Sequence, residues 1–358
     1  MINLGQIVNT VQKNCHVSDA IYARNYSMCI FLLKMREYFR WEYDIPLSQP
    51  IPKKEIGEWL IERELEWDEL TEENYQPLPL ENGLVDPFDF EAINKELLPQ
   101  GYVYSSGIDL FHKPHFFLGQ ISKVERHEDM TIYVSSCEHA RDLVAPPAMS
   151  IGKKIFIRQE SIRRFIWEKI EEWQWKKNPQ VPMAKVINCY PSDISSESLL
   201  DEVTTLETES MILHEIGEVE AGKLLGQDWE QMITSLSRSK AEFLVRAVRD
   251  HLADCISTLP RLLSSQKISS LHFYFANFSG IRKTLFPEAV EAYQVWIDTG
   301  NTKVLEEIIA QGKNHWLEKA QQILELYRAE QNKLENAIEK LLSYSRNSGV
   351  ESTAQKLN

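Results

Sequence analysis

The chain has 358 residues, which is enough to bury a large core and to divide into two domains. Hydrophobic residues make up 43% and charged residues 26%, the composition of an ordinary globular protein. The formal net charge of -14 disfavours non-specific binding to nucleic acid and to anionic membrane surfaces, because both are themselves negatively charged.

The sequence also predicts a cytoplasmic protein without a membrane anchor. Its start, MINLGQIVNTVQKN, lacks the basic segment and apolar run of a secretory signal. The most apolar stretch, residues 28–35, is far shorter than the roughly 20 residues that a membrane-spanning helix needs. Scattered cysteines without a CxxC pair predict free thiols in a reducing compartment. These cysteines are Cys15, Cys29, Cys137, Cys189 and Cys255.

Residues 1–100 are predicted to form an N-terminal helical region. Ser18 is expected to cap a helix that continues past Leu33, and a second helix is expected over residues 53–70. A charged network is predicted on the first of these helices, formed by Arg36, Glu37, Arg40 and Glu42. Glu37 is the member of this network best able to complete a metal shell.

Residues 101–150 are predicted to form a small antiparallel sheet. The segments YVYSSGIDLF, HFFLGQISKVER and MTIYVSSCE are rich in aromatic and β-branched residues, and residues 127–129 would form a hairpin turn. The open ends of that hairpin could bring together four zinc ligands: His112, His115, Cys137 and His139. The alternative is a loop with several histidines and a buried cysteine, because this set supplies only one thiolate.

Residues 151–345 are predicted to form a helical bundle, followed by a flexible polar tail at residues 346–358. A tryptophan-rich helix is expected at about residues 161–175. The last helix carries an apolar seam from Trp316 to Leu341, which indicates either packing on the bundle or a homodimer contact. The predicted fold class is therefore α+β, predominantly helical.

Two histidines in the predicted bundle are each followed by a carboxylate one helical turn further on. His214 precedes Glu218, and His251 precedes Asp254. Residues three or four positions apart share one face of a helix, so two adjacent helices would point all four side chains at one place. Such a set suits a divalent transition metal, namely iron, manganese or zinc.

This arrangement is similar in architecture and ligand type to the helical-bundle iron and manganese carboxylate proteins, over residues 196–345. The Glu-x-x-His order usual in those proteins is absent here. The segment from His214 to Glu218 also resembles the HExxH motif of zinc proteases. Glutamate replaces the second histidine of that motif, which removes one ligand.

From this candidate metal site we predict a metal-dependent oxidoreductase that acts on a small molecule. Glu207 or Glu215 would serve as the catalytic base beside the metal. The alternative is a non-catalytic helical interaction or scaffold protein, in which His214 and the nearby carboxylates are satisfied by other protein groups. Metal content separates these two hypotheses.

Overall fold

The computed structural model describes residues 3–108, 113–236, 239–329 and 333–348. Over these residues the fold is α+β and predominantly helical, as the sequence predicts. Contacts divide the chain into two compact units. Unit 1 comprises Met1–Glu172 and Asp193–Thr208, and unit 2 comprises Trp173–Ser192 and Glu209–Asn358. Most of the predicted tail at residues 346–358 lies outside the described residues.

Four helices precede the main sheet: α1 (Leu4–Tyr22), α2 (Met28–Glu42), α3 (Lys53–Leu70) and α4 (Phe90–Leu97). The cap of α1 is Asn3, whose side chain accepts a hydrogen bond from the Gln6 amide. Ser18 is buried inside α1, where its hydroxyl donates to the carbonyl of Pro114, so the predicted Ser18 cap is wrong. None of the described helices is long and apolar enough to cross a lipid bilayer.

Unit 1 contains a two-stranded antiparallel sheet and a five-stranded sheet with the order β3-β4-β5-β7-β6. The strands are β1 (Leu78–Leu80), β2 (Gly83–Val85), β3 (Tyr102–Ile108), β4 (Pro114–His127), β5 (Met130–Arg141), β6 (Ala148–Ile151) and β7 (Lys154–Arg158). The predicted turn after β4 is confirmed, with Glu128 at a φ of 51°. Strands β5 and β7 pair in parallel, so the larger sheet is mixed rather than antiparallel.

The β4–β5 register separates the predicted zinc ligands. Cys137 pairs with Gln120, which lies five positions along β4 from His115. At about 3.3 Å per residue that is a separation of about 16 Å along the strand. His115 and Cys137 therefore do not meet as the zinc hypothesis requires. His112 lies outside the described residues.

The tryptophan-rich helix, α5 (Gln159–Lys176), forms where it was predicted. The helices after it are α6 (Pro182–Asn188), α7 (Ser196–Leu225), α8 (Gln227–Ser235), α9 (Lys240–Ala253), α10 (Leu259–Ser264), α11 (Ile268–Asn277), α12 (Gly280–Leu285), α13 (Pro287–Thr299), α14 (Lys303–Ala329) and α15 (Leu334–Ser348). The predicted last helix is two helices, α14 and α15. Trp316 and Ile323 of α14 and Ile338 of α15 are buried in the core of unit 2, as packing on a bundle requires. The homodimer contact stays a prediction.

Candidate functional site

Three of the four predicted metal ligands, His214, Glu218 and Asp254, belong to a partly buried polar network in unit 2. We name it the histidine–aspartate network, and its members are His214, Glu218, Arg249, Asp250, Asp254, Tyr274 and Arg282. His214 Nδ1 lies 2.8 Å from Asp254 Oδ1, and His214 Nε2 lies 3.6 Å from Glu218 Oε1. The structure thus brings three of the four predicted ligands together.

A close helix approach brings these residues together. A Cβ on Gly217 would lie 2.5 Å from the carbonyl oxygen of Ala253, so only glycine lets α7 approach the end of α9 this closely. There the chain forms a π-helical turn, Asp254–Thr258, closed by a hydrogen bond onto the carbonyl of Asp254. Pro260 follows and has no N–H with which to continue the α-helical ladder. The π turn is therefore consistent with the local sequence.

Two arginines neutralise the carboxylates of this network. Arg249 Nη2 donates to both oxygens of Glu218, each at 3.1 Å. Arg282 forms an ion pair with Asp254, which also accepts a hydrogen bond from the Tyr274 hydroxyl at 2.9 Å. A metal at this position would have to compete with both guanidinium groups for the same oxygens.

His251 has different partners from His214. Its Nε2 donates to the carbonyl of Arg282 at 3.1 Å, and its ring stacks on Trp316 with the centroids 4.6 Å apart. Burial and then the Arg282 cation lower the pKa of His251 to about 3, so this ring is neutral. Over the described ranges, no group of three or more His, Cys, Asp or Glu side chains is arranged to hold a metal ion.

The same charges set the protonation of the network. Burial disfavours the imidazolium of His214, but Asp254 and then Glu218 outweigh burial and raise its pKa to about 10. Burial and the adjacent Glu218 raise the pKa of Asp250 to about 6. At neutral pH His214 is therefore a cation, and in that form its ring offers no lone pair to a metal.

The predicted catalytic bases, Glu207 and Glu215, are both buried on α7. Glu207 belongs to unit 1 and Glu215 to unit 2. Glu215 adds to the negative potential at Arg249.

A second polar cluster surrounds a cavity of about 200 Å³ in unit 1. Four arginines line it, and one of them, Arg163, pairs with Glu197 and Asp201. We name it the arginine pocket, after the other three: Arg40, Arg141 and Arg164. They come from the last turn of α2, the end of β5 and the first half of α5. The remaining lining residues include Glu37, Trp41, Leu47 and Glu160.

Two of these arginines are each anchored to main-chain carbonyls. Arg40 Nη1 donates to the carbonyl oxygens of Pro46 and Gln49 at 2.8 and 2.6 Å. Arg164 Nη2 donates to two carbonyl oxygens at 3.1 and 2.9 Å, the second being that of Ala145. Anchoring of this kind fixes the guanidinium plane without neutralising its charge.

All three arginines keep a buried nitrogen that has no hydrogen-bond partner among the described residues: Arg40 Nε, Arg141 Nη2 and Arg164 Nε. Arg40 Nε lies 3.7 Å from Glu37 Oε1, and Arg164 Nε lies 3.8 Å from Glu168 Oε1, which is too far for a hydrogen bond. Buried polar groups are nearly always hydrogen-bonded. Three such nitrogens around one cavity therefore indicate missing partners.

The lining of the cavity holds four arginines and four carboxylates, and its arginines lie close to a further ion pair. Glu138 forms an ion pair with Arg158, whose Nε and Nη2 donate to the two carboxylate oxygens of Glu138 at 3.1 and 2.7 Å. Arg141 Nε is 3.8 Å from the same carboxylate. Burial and then the Arg141 cation lower the pKa of Arg164 to about 10, as expected where guanidinium groups crowd together.

The backbone beside the arginine pocket is strained. Ala145 has a φ of 43°, a region that residues with a Cβ rarely occupy. It is held there by Asp142, whose Oδ1 accepts from the Ala145 amide at 2.7 Å, and by Arg164 at its carbonyl. Strain of this kind costs about 1–3 kcal/mol and clusters at functional sites.

The charged network predicted on α2 contributes Glu37 and Arg40 to the lining of the arginine pocket. Arg36, Glu37 and Arg40 form the predicted network, with Arg36 Nε 2.6 Å from Glu37 Oε1. Glu42 instead pairs with Arg63 at 2.5 Å. Arg141 and Arg164 come from distant segments, so no local sequence pattern places them beside Arg40.

Two family models match the chain. The N-terminal domain of a family of unknown function (DUF6866) matches residues 6–158, and the C-terminal domain of the same family matches residues 163–345. No curated protein and no solved structure matches the chain.

Proposed function

We propose that this chain, which belongs to the DUF6866 family, binds a small anionic ligand in the arginine pocket. The ligand would carry a carboxylate or a phosphate group. One observation carries the proposal: Arg40, Arg141 and Arg164 line a single cavity, and each keeps a buried nitrogen without a hydrogen-bond partner among the described residues. Planar guanidinium groups match carboxylate and phosphate oxygens in both charge and geometry.

The size of the cavity suits a small metabolite. Its volume of about 200 Å³ is below the roughly 300–1,000 Å³ of pockets that enclose drug-sized molecules. At about 30 Å³ per water molecule, the same space would hold roughly seven waters. A water-filled cavity is therefore the alternative that an experiment has to exclude.

Calorimetric titration with inorganic phosphate and, separately, with glutarate tests this proposal. We expect saturable binding of one of these anions, weakened at least tenfold by Arg164→Met and by Arg40→Met. Each variant loses a different set of main-chain hydrogen bonds, so the two need not fold equally well. Thermal unfolding of both identifies a folded variant for the comparison. Arg126→Met is the matched control, because Arg126 is exposed on β4 in the same unit, and it should leave binding unchanged.

Absence of saturable binding by phosphate and by every carboxylate titrated, amino acids included, would contradict the proposal. So would binding that survives both arginine substitutions, because the anion would then occupy another surface.

The metal-dependent oxidoreductase predicted from the sequence is a second hypothesis. One observation favours it: His214, Glu218 and Asp254 lie in one network. A metal would have to displace Arg249 and Arg282 from the carboxylates. Elemental analysis of untagged protein tests it, since near-stoichiometric iron, manganese or zinc is expected for the enzyme. Protein without metal would leave anion binding, or the scaffold alternative, to explain the chain.

We also propose a cytoplasmic location. All five cysteines are free thiols, and Cys15 and Cys255 are buried as small apolar groups. Free thiols are typical of a reducing compartment.

A further inference from the structure

The arginine pocket has an acceptor side as well as a donor side. Glu37 is 3% exposed, and its Oε1 accepts from Arg36 Nε at 2.6 Å. Its other oxygen, Oε2, is buried and has no hydrogen-bond partner among the described residues. Glu160 lines the same cavity, and its Oε2 accepts from the Glu138 amide at 2.7 Å. Residues with an unsatisfied donor and a residue with an unsatisfied acceptor thus line one small cavity.

A ligand with only negative charge would match half of this lining. Its oxygens could accept hydrogen bonds from the three arginine nitrogens, but Glu37 Oε2 would remain without a donor. An unpaired buried carboxylate oxygen is costly, and a second anion beside it would raise that cost. A ligand that also carries an ammonium group would supply donors to Glu37 and to the neighbouring Glu160.

The charge of Glu160 agrees with this interpretation. Burial and the nearby Glu138 carboxylate raise the pKa of Glu160 to about 7, because a second negative charge there lacks a sufficient counter-charge. A cation placed against Glu160 would supply that counter-charge.

We infer that the ligand of the arginine pocket is a small zwitterion, an α-amino acid, whose carboxylate binds Arg40, Arg141 and Arg164 and whose ammonium group binds Glu37 and Glu160. This inference rests on the proposed anion-binding function and specifies its ligand. The cavity of about 200 Å³ suits a molecule of this size.

Paired titrations test the requirement for the ammonium group. L-alanine, L-aspartate and L-glutamate are each titrated beside the acid that lacks the amine, namely propionate, succinate and glutarate. We expect at least one amino acid to bind tenfold or more tightly than its partner acid. That ratio should fall below about threefold in Glu37→Gln or, if this variant does not fold, in Glu160→Gln. The exposed Glu64 on α3 provides the control, and Glu64→Gln should keep the ratio.

The outcomes separate the two proposals. Equal affinities within every pair, or tighter binding of the acids, would overturn the amino-acid inference while leaving anion binding in place. Failure of amino acids, acids and inorganic phosphate alike to bind would overturn both. A tenfold preference that persists in both glutamate variants would also overturn the inference, because the ammonium group would then be bound elsewhere.

Discussion

The histidine–aspartate network and the arginine pocket are both rich in buried charge, but they satisfy that charge in different ways. In the network, His214 and Arg282 both contact Asp254, and Arg249 takes both oxygens of Glu218. In the pocket, Arg40 and Arg164 are anchored on neutral main-chain carbonyls instead of carboxylates. Arginines of both regions keep a buried nitrogen without a partner among the described residues, but only those of the pocket line the cavity of about 200 Å³. Clustered charge by itself does not identify a binding site. Unmatched charge around a cavity is the more informative feature.

The first way to test this comparison is to remove the centre of the network. Asp254→Ala would leave Arg282 and His214 without their shared carboxylate. Breaking a buried ion pair in this way costs about 3–5 kcal/mol. Urea unfolding followed by tryptophan fluorescence should show a loss of that size in the free energy of unfolding.

Asp228→Ala is the control for this prediction. Asp228 pairs with Arg328, but the two side chains are 46% and 60% exposed, so the loss should stay below about 1 kcal/mol. A similarly small loss for Asp254→Ala would mean that the network is not a self-neutralising structural unit.

A second prediction concerns the helix contact that builds the network. In Gly217→Ala the new Cβ would meet the Ala253 carbonyl oxygen at 2.5 Å, so the two helices would have to separate. Overpacking of this kind costs about 1–3 kcal/mol. The free energy of unfolding should fall by that amount.

Gly222 on the same helix provides the opposite control. A Cβ there would meet nothing within 4 Å, so Gly222→Ala should stabilise α7 by about 0.5–1 kcal/mol. If both substitutions stabilise the protein, the close approach at Gly217 is not a structural requirement.

The sequence predicted these two regions only where the pattern is local along the chain, and not where distant segments meet. Helical spacing placed His214 and Glu218 on one face of α7, and the expectation that Asp254 would join them depended on how the helices pack. Helical spacing could not reveal Arg249 or Arg282 as their partners, because helix packing decides which surfaces meet. His251 also precedes a carboxylate by about one helical turn, but its ring contacts a backbone carbonyl and Trp316 instead.

The fold shows the same division between local and non-local signals. The β4–β5 turn at Glu128 was predictable because turn residues and the flanking strands are adjacent in sequence. The parallel pairing of β5 with β7 was not, since it depends on which strands meet in the sheet. The arginine pocket was hidden for this reason too: Arg40, Arg141 and Arg164 lie on three elements far apart along the chain.

The smallest predicted effect is a pH dependence from the arginine pocket. The pKa of Glu160 is raised from 4.5 to about 7 by burial and then Glu138, against opposing effects of Arg141 and Arg158. Protonated Glu160 therefore makes its full contribution to the free energy of unfolding below pH 4.5, and this contribution is lost as the pH rises through 7. Above pH 7, Glu160→Gln should be more stable than the unaltered protein by about 1 kcal/mol or less, because Glu160 is partly exposed.

Urea unfolding of ligand-free protein between pH 5 and pH 8.5 measures this effect. The difference between the two proteins should grow with pH across that window. A difference that is constant with pH, or that shrinks as the pH rises, would show that Glu160 ionises normally.

The central claim is that the unmatched arginine nitrogens hold an anion. The most direct measurement is a crystal structure of the protein grown with the anion or amino acid that binds best in titration. We predict one ligand in the cavity, with its acidic group within hydrogen-bond distance of Arg40 Nε, Arg141 Nη2 and Arg164 Nε. Ordered water alone in that cavity, with the titrated ligand bound at another surface, would contradict the account.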